Sequence, residues 1–227
     1  MLKVSHETEE RFGAQVMAWW GGEGAARVLA HEGDALLMER AAGNRSLGDT
    51  ARAGADDEAT RIVCAAAAEL HRPRAFPPPV GLTPLEVWFR SLLAAQEQGG
   101  VLARCAEAAR ELLSDPREVV VLHGDLHHGN VLNFGQRGWL AIDPKGLLGE
   151  RGFDFANLFC NPDRATALAP GRLARQAAVV AEAAGLERKR LLKWVLAWSG
   201  LSAMWMVEDG ETETIDLSLA ETALSAC

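Results

Sequence analysis

The stretch VVVLHGDLHHGN occupies residues 119–130, and the shorter stretch LAID follows at residues 140–143. In each, an apolar run ends in polar residues, which is typical of a β-strand that leads into a turn. The first turn holds Asp125 and, five positions on, Asn130, while the second run ends in Asp143. We expect the rest of the chain to serve the site that these side chains form.

The order and spacing of these residues match a catalytic loop for phosphoryl transfer, His-x-Asp-x-x-x-x-Asn, with a metal-binding aspartate downstream. Such a reaction needs groups that position the reactants and neutralise charge. Asp125 is the candidate that accepts or orients the proton of an attacking hydroxyl. Asn130 and Asp143 offer the hard oxygen ligands that Mg²⁺ prefers, and we expect His123 to orient the loop.

Three further residues leave alternatives open. His127 and His128 suggest a metal site, but the i,i+4 spacing of a helical zinc pair is absent. We therefore expect these histidines to lie on the loop or to face the cleft. Asp154 begins a predicted helix, where it is either a helix cap or a structural carboxylate that accepts backbone N–H groups of the catalytic loop.

The composition is that of a globular protein, with 48% hydrophobic and 24% charged residues among 227. This length suffices for one large domain or for two small lobes that share a cleft. The net charge of −8 disfavours nucleic acid as a partner and is compatible with a cationic small-molecule substrate. Neither a signal peptide nor an apolar run of membrane-spanning length is evident, and the four cysteines form no C-x-x-C pair. We expect a cytoplasmic protein, monomeric or homodimeric, without a membrane or nucleic-acid partner.

The hydrophobic periodicity predicts an α+β chain in two parts. Residues 1–41 form a small part with one strand, one helix and two strands, which ends in a linker. Residues 42–227 form a mainly helical part that contains the catalytic loop and a hairpin. One predicted helix of this part begins near residue 47, and another begins at Thr83 as a capping box with Pro84 at the first helical position. The other predicted helices cover 57–71, 101–113, 154–160, 170–184, 187–206 and 216–225. The predicted strands cover 1–5, 26–29, 35–38, 119–122, 131–134 and 139–142, and residues 144–152 are expected to form a glycine-rich loop.

These motifs resemble the aminoglycoside phosphotransferase family, a branch of the protein-kinase-like fold. The stretch HGDLHHGN at 123–130 resembles its catalytic loop, and Ile142-Asp143-Pro144 resembles its metal-binding motif. Further stretches are most similar to the streptomycin 6-phosphotransferase and hydroxyurea phosphotransferase subgroup. They are WGGEGAARVL at 20–29, ALLMERA at 35–41, KGLLGERGFDFANL at 145–158 and WSGLSA at 198–203.

The resemblance implies a two-lobe kinase-like fold with a truncated small N-lobe and a mainly helical C-lobe. It implies ATP and Mg²⁺ as cofactors, with Asp125 as the catalytic base and Asn130 and Asp143 as magnesium ligands. Lys3 matches the strand lysine that touches the α- and β-phosphates. The hinge that meets adenine through backbone groups matches Glu39, Arg40 and Ala41. The implied substrate is a hydroxyl of the streptidine ring of streptomycin, so that the antibiotic is inactivated.

Streptidine carries two guanidinium groups, which makes the acidic patch around Glu208 and Asp209 a candidate substrate site, with a solvated acidic loop as the rival interpretation. The two strands and the glycine-rich loop that cover the ATP phosphates in the family have no counterpart before Lys3. The family's helix glutamate falls near Gly13, and Glu9 and Glu10 are its possible substitutes. Two other functions remain: a truncated, degenerate kinase-like chain, or a kinase for another small hydroxylated compound such as hydroxyurea.

Overall fold

A computed structural model describes residues 1–4, 8–95, 99–208 and 215–226 of the chain. Its strands are β1 Leu2–Val4, β2 Val28–Glu32, β3 Ala35–Met38, β4 Thr83–Pro84, β5 Val119–Leu122, β6 Val131–Asn133, β7 Trp139–Ala141 and β8 Leu147–Glu150. Its α-helices are α1 Thr8–Trp20, α2 Leu47–Thr50, α3 Asp56–Leu70, α4 Leu85–Trp88, α5 Arg90–Ala94, α6 Gly100–Ser114, α7 Arg164–Ala167, α8 Arg172–Ala184, α9 Arg188–Glu208 and α10 Ile215–Ala226. None of the described helices is long and apolar enough to cross a membrane.

The first sheet is three-stranded, with β3 between β1 and β2 and all pairs antiparallel. Lys3 pairs in register with Leu36, and both line the same cleft as Met17 of α1. Leu2 pairs with Leu37 on the other face, where both side chains are exposed. The alternation along β1 and β3 therefore turns Lys3 towards the cleft and leaves an apolar outer face.

The second sheet corrects two sequence predictions. Residues 147–150, expected to lie in a glycine-rich loop, form β8, which pairs antiparallel with β5 and parallel with β4. Thr83, expected to cap a helix, is part of β4, and the helix begins after Pro84. A Cβ atom on Gly149 would lie 2.4 Å from Leu85 Cδ1, so the glycine allows the close approach of α4 to β8. Both strands depend on partners distant in sequence, which local patterns do not reveal.

The helical part is built around α9, which packs against α6, α8 and α10. Its Trp194 is buried with Phe89 and Phe153, at ring-centroid distances of 5.7–6.1 Å. Such edge and tilted contacts between large rings stabilise a core beyond the area they bury. The predicted helices around α3, α6, α8, α9 and α10 are confirmed, whereas residues 154–160 form parts of two successive 3-10 turns, Arg151–Phe155 and Asn157–Cys160. The packing of Phe153 against Phe89 and Trp194 fixes the turn that carries Asp154.

Candidate active site

A cleft of about 160 Å³ lies between the three-stranded sheet and the loop that follows β5. The structure brings four of the predicted site residues to this cleft: Lys3 from β1, Asp125 and Asn130 from the loop, and Asp143 from the end of β7. Two strand ends and an edge strand thus place carboxylate, amide and ammonium groups around one space. This arrangement can hold a polyanion, its counter-ion and a hydroxyl acceptor.

Asp125 is held by two side-chain amides. Asn157 donates from Nδ2 to Asp125 Oδ1 at 2.6 Å, and Asn130 donates from Nδ2 to Asp125 Oδ2 at 3.2 Å. Asn130 also donates to the backbone oxygen of Asp125 at 2.8 Å, which closes the loop on itself. Because Nδ2 of Asn130 is engaged in this way, its Oδ1 is the atom that remains for a metal ion.

His123 connects the two strand ends from inside the protein. Its Nε2 lies 2.8 Å from the carbonyl oxygen of Ile142, and its Nδ1 lies 3.2 Å from the backbone N–H of Asp125. The second contact requires Nδ1 to accept, so Nε2 carries the proton and donates to Ile142. Burial lowers the pKa of His123 and keeps the ring neutral, which is consistent with this tautomer. The ring thereby orients the loop and ties it to the residue before Asp143.

Asp154 supports the same loop from below. Its Oδ2 accepts the backbone N–H of His123 at 2.9 Å, and its Oδ1 accepts that of Gly124 at 2.7 Å. His71 Nε2 donates to Oδ2 at 2.7 Å. Burial alone would raise the pKa of Asp154, but the His71 hydrogen bond and the neighbouring donors outweigh it and hold the pKa below its ordinary value. Of the two roles that the sequence left open for Asp154, these hydrogen bonds are those of a structural carboxylate that accepts backbone N–H groups of the loop.

Asp143, one of the two predicted magnesium ligands, is a non-glycine residue with a positive φ of 59°. Its Oδ1 lies 3.1 Å from Lys3 Nζ, and each side chain is about a third exposed. Asp143 and Asn130 together supply one charged and one neutral hard oxygen donor, which fits Mg²⁺ because that ion keeps several waters and takes its other ligands from phosphates. Among the described residues there is no group of three or more His, Cys, Asp or Glu that would hold a metal without such co-ligands.

The two remaining loop histidines differ in their surroundings. His127 lines the cleft, where its Nδ1 accepts the backbone N–H of Gly129 at 3.0 Å. His128 is buried, and neither ring nitrogen has a hydrogen-bond partner among the residues that the structure describes. Burial, together with the positive charge of Arg172, lowers the pKa of His128 to about 4, so the ring is neutral at pH 7. The sequence did not anticipate this buried, neutral histidine.

The linker after β3 has no regular secondary structure. The side chain of Glu39 forms an ion pair with Arg137 of the β6–β7 hairpin and accepts the backbone N–H of Arg27 at 2.6 Å. Arg40 is exposed and Ala41 is partly buried. These contacts brace the linker against the hairpin, and the contact of residues 39–41 with adenine stays a prediction.

Two predictions concern residues whose side chains lie outside the described part of the structure. They are the acidic substrate site at Glu208 and Asp209 and the substitution of the family's glutamate by Glu9 or Glu10. The position of that glutamate, Gly13, leaves no room for a side chain, since a Cβ atom there would lie 2.0 Å from the carbonyl oxygen of Pro144. Helix α1 therefore contacts the loop at Pro144 through its backbone.

Sequence reasoning missed two residues of the site, His71 and Asn157. His71 follows the last residue of α3, and nothing in the sequence around it distinguishes it from an ordinary helix end. Asn157 lies in a turn that was expected to be helical. Their contacts to Asp154 and Asp125 join residues 83 and 32 positions apart, so only the tertiary fold reveals them.

Solved structures define the class of the fold. An aminoglycoside phosphotransferase from Streptomyces rimosus, solved with ADP and streptomycin, matches with a TM-score of 0.58 at 19% identity, over 86% of this chain and 80% of that one. A choline/ethanolamine kinase family protein from Mesorhizobium loti matches with a TM-score of 0.64 at 17% identity, over 100% and 80%. The chain thus has the α+β, protein-kinase-like fold that its sequence predicted.

Sequence comparisons define the family. The model of the aminoglycoside/hydroxyurea antibiotic resistance kinases matches residues 1–210. A streptomycin 3''-kinase from Klebsiella pneumoniae is 54% identical over 215 residues, which cover 92% of this chain and 80% of the relative. A streptomycin 6-kinase from Streptomyces griseus is 34% identical over 227 residues, covering 93% and 72%. A hydroxyurea phosphotransferase from Kitasatospora aureofaciens is 34% identical over 223 residues, covering 92% and 63%.

The chain belongs to the aminoglycoside/hydroxyurea antibiotic resistance kinase family, as its motifs indicated. It is accordingly a phosphotransferase with an alcohol group as acceptor.

Proposed function

We propose that this chain transfers the γ-phosphoryl group of ATP to a hydroxyl of streptomycin or of a closely similar aminoglycoside, with Mg²⁺ as the metal. The observation that carries the proposal is the cleft where Lys3, Asp125, Asn130 and Asp143 meet. Two relatives named as streptomycin kinases support the choice of substrate. The outcome that we propose for the cell is inactivation of the antibiotic in the cytoplasm.

Asp125 is the residue that we assign to the acceptor hydroxyl. A carboxylate within hydrogen-bond reach orients a hydroxyl and accepts its proton as the new oxygen–phosphorus bond forms. Because Asn130 and Asn157 each donate to one carboxylate oxygen, Asp125 is oriented before a substrate binds. Such positioning lowers the barrier, since the acceptor then has few wrong orientations to explore.

The other groups of the cleft are assigned to the nucleotide. Asn130 Oδ1 and the Asp143 carboxylate would hold Mg²⁺, which supplies charge neutralisation to the phosphate oxygens when it is bound. We assign Lys3 Nζ, 3.1 Å from Asp143 Oδ1, to the α- and β-phosphates beside that ion. Backbone groups of residues 39–41 are assigned to adenine.

A cationic substrate suits the electrostatics of the chain. The net charge is −8, and an acidic protein raises the local concentration of a guanidinium compound. We propose Glu208 and Asp209 as the residues that contact the guanidinium groups of the substrate. The names of the relatives give two different positions on streptomycin, 3'' and 6, so analysis of the product decides which hydroxyl is phosphorylated.

A substrate panel tests the proposal. Purified protein with Mg-ATP is offered streptomycin, other aminoglycosides and hydroxyurea, and ADP release is followed by a coupled assay. We expect the largest kcat/KM with streptomycin. Turnover of hydroxyurea alone would support the second candidate function, phosphorylation of hydroxyurea, which is the activity named for one of the relatives.

A degenerate, inactive chain is the remaining alternative. Mg-ATP that binds the folded chain must raise its midpoint of thermal unfolding, because ligand binding stabilises only the state that binds it. We expect a clear upward shift with Mg-ATP. Absence of both a shift and any turnover would support the degenerate alternative.

A further inference from the structure

We propose that Asn157 is a positioning residue for Asp125 and that Asn161 and the buried ion pair between Arg172 and Asp56 fix its orientation. This inference rests on the proposed role of Asp125 in catalysis. It concerns a chain of side-chain contacts that runs from the cleft into the interface between α3 and α8.

The first contact is direct and short. Asn157 Nδ2 lies 2.6 Å from Asp125 Oδ1, which makes it the closer of the two side-chain amide donors to this carboxylate. Asn157 is buried, and a hydrogen bond to a charged acceptor is stronger than one between neutral groups. Asn130 holds Asp125 from the longer distance of 3.2 Å and also offers its Oδ1 to the proposed metal, whereas Asn157 does not line the cleft and is assigned to Asp125 alone.

The second contact decides which end of the Asn157 amide faces Asp125. Asn161 Nδ2 donates to Asn157 Oδ1 at 3.0 Å and to the Asn157 backbone oxygen at 3.0 Å. If the Asn157 amide rotated by half a turn, its NH₂ group would face the NH₂ group of Asn161, and its oxygen would face the carboxylate. Both contacts would become repulsive, so the observed orientation is strongly preferred.

The third set of contacts anchors Asn161. Arg172 Nη2 donates to the backbone oxygen of Asn161 at 2.8 Å, and Nη1 donates to that of Phe159 at 3.0 Å. The same guanidinium binds both carboxylate oxygens of Asp56, at 2.8 and 3.0 Å. Arg172 and Asp56 are both buried, and a planar guanidinium in a bidentate pair has a single orientation.

These contacts give the catalytic carboxylate a support outside the cleft. Lys3 and Asp143 lie on the cleft wall, whereas Asn157, Asn161 and Arg172 are not among the residues that line it. A change at Asn157 should therefore alter the chemical step and leave nucleotide binding nearly unchanged.

The first experiment needs no turnover. The chain contains five asparagines, so protein labelled with ¹⁵N-asparagine gives five side-chain amide groups in an NMR spectrum. The Asn157 resonance is the one missing in Asn157→Asp, a variant of the same size. We expect this resonance to move in Asp125→Ala and in Asn161→Leu. It should stay in place in Thr60→Val, which removes the hydroxyl that Gln176 contacts in the same α3–α8 interface.

The second experiment is kinetic. Asn157→Asp keeps an acceptor for Asn161 but replaces the amide donor by a second carboxyl group beside Asp125, and Asn157→Leu removes both contacts without adding a charge. We expect kcat to fall about 10- to 100-fold in both variants, as for a catalytic group misplaced by about 1 Å, with KM for ATP within about twofold of wild type. Asn161→Leu should show a smaller loss of kcat, and Thr60→Val should retain the kcat of wild type.

Two results would overturn the inference: an Asn157 resonance that does not respond to Asp125→Ala, or wild-type kcat in Asn157→Asp. Asn157→Asp also keeps the test decisive if Asn157→Leu does not fold. A wild-type protein that phosphorylates none of the panel compounds would contradict the proposed function, and the NMR comparison would still decide the inference.

Discussion

The two walls of the cleft are built in different ways. On the helical wall, Asp125 and Asp154 take side-chain and backbone donors from distant parts of the chain, and Asp154 is fully enclosed. On the sheet wall, Lys3 and Asp143 face each other with about a third of each side chain exposed. The hydrogen bonds of the first wall are formed before any ligand binds, whereas the second wall depends on an ion pair that solvent screens. From this comparison we expect fold stability to depend on the first wall, and we propose that nucleotide affinity depends on the second.

The largest effect on the free energy of unfolding is expected for Asp154→Ala. This change leaves the backbone N–H groups of His123 and Gly124 and the ring of His71 without their acceptor in a buried place. We expect the free energy of unfolding to fall by about 3 to 5 kcal/mol, measured by urea denaturation.

Asp163→Ala is the matched control, because Asp163 also accepts a backbone N–H, from Thr166 at the exposed start of α7. Its loss, which also removes the surface ion pair with Arg52, should lower the free energy of unfolding much less than Asp154→Ala does, because water can replace the lost acceptor. Equal losses in the two variants would contradict the contrast between a buried wall and an exposed surface.

A second effect on the helical wall depends on pH. The pKa of His128 is lowered from 6.5 to about 4, mainly by burial. The unfolded chain therefore takes up the proton first, and stability falls as the pH decreases from about 6.5 towards 4, by up to about 3 kcal/mol. The lowered pKa values of Asp56 and Asp154 act at lower pH, because their stabilisation is lost only below their ordinary value of 3.8.

His128→Leu isolates this effect, since no hydrogen bond joins the ring nitrogens to the described part of the chain. Urea denaturation at several pH values should show a flatter dependence between pH 6.5 and 4.5 in the variant. The same slope in both proteins would show that His128 does not remain neutral in the folded state.

The smallest effect on stability is expected on the sheet wall. Lys3→Met removes a partly exposed ion pair, so the free energy of unfolding should change by less than about 1 kcal/mol. KM for ATP should nevertheless rise about tenfold, because the variant loses a positive charge beside the phosphates. Arg45→Met, which removes the exposed pair with Glu58, is the control and should change neither quantity appreciably. An unchanged KM in Lys3→Met would remove Lys3 from the proposed site.

Sequence patterns were sufficient where the signal is local. The strand before His123, the hairpin around residues 135–138 and the long helices follow from apolar periodicity and turn residues, and the structure confirms them. The start of α2 near residue 47 was also predicted, and the structure shows that Ser46 caps it, because Ser46 Oγ accepts the backbone N–H of Asp49 at 3.2 Å. These features depend on neighbours within a few positions of the chain.

Sequence patterns failed where distant partners decide the structure. β8 forms because β5 and β4 supply hydrogen bonds on both of its sides, although its own four residues include a glycine. The contacts of His71 and Asn157 could not be predicted for the same reason. The catalytic loop was recognisable from its own residues, but the groups that hold it in place were not.

Transfer of labelled γ-phosphate from Mg-ATP to streptomycin, by wild type and by Asp125→Ala, is the most direct test of the proposed kinase site. We expect a phosphorylated streptomycin with wild type and a rate lower by about 10²- to 10⁴-fold with the variant, the range expected for loss of a general base. Mg-ATP should raise the unfolding midpoint of both proteins, which separates lost chemistry from lost folding. Equal rates of phosphoryl transfer by the two proteins would contradict the role of Asp125 and, with it, the proposed site.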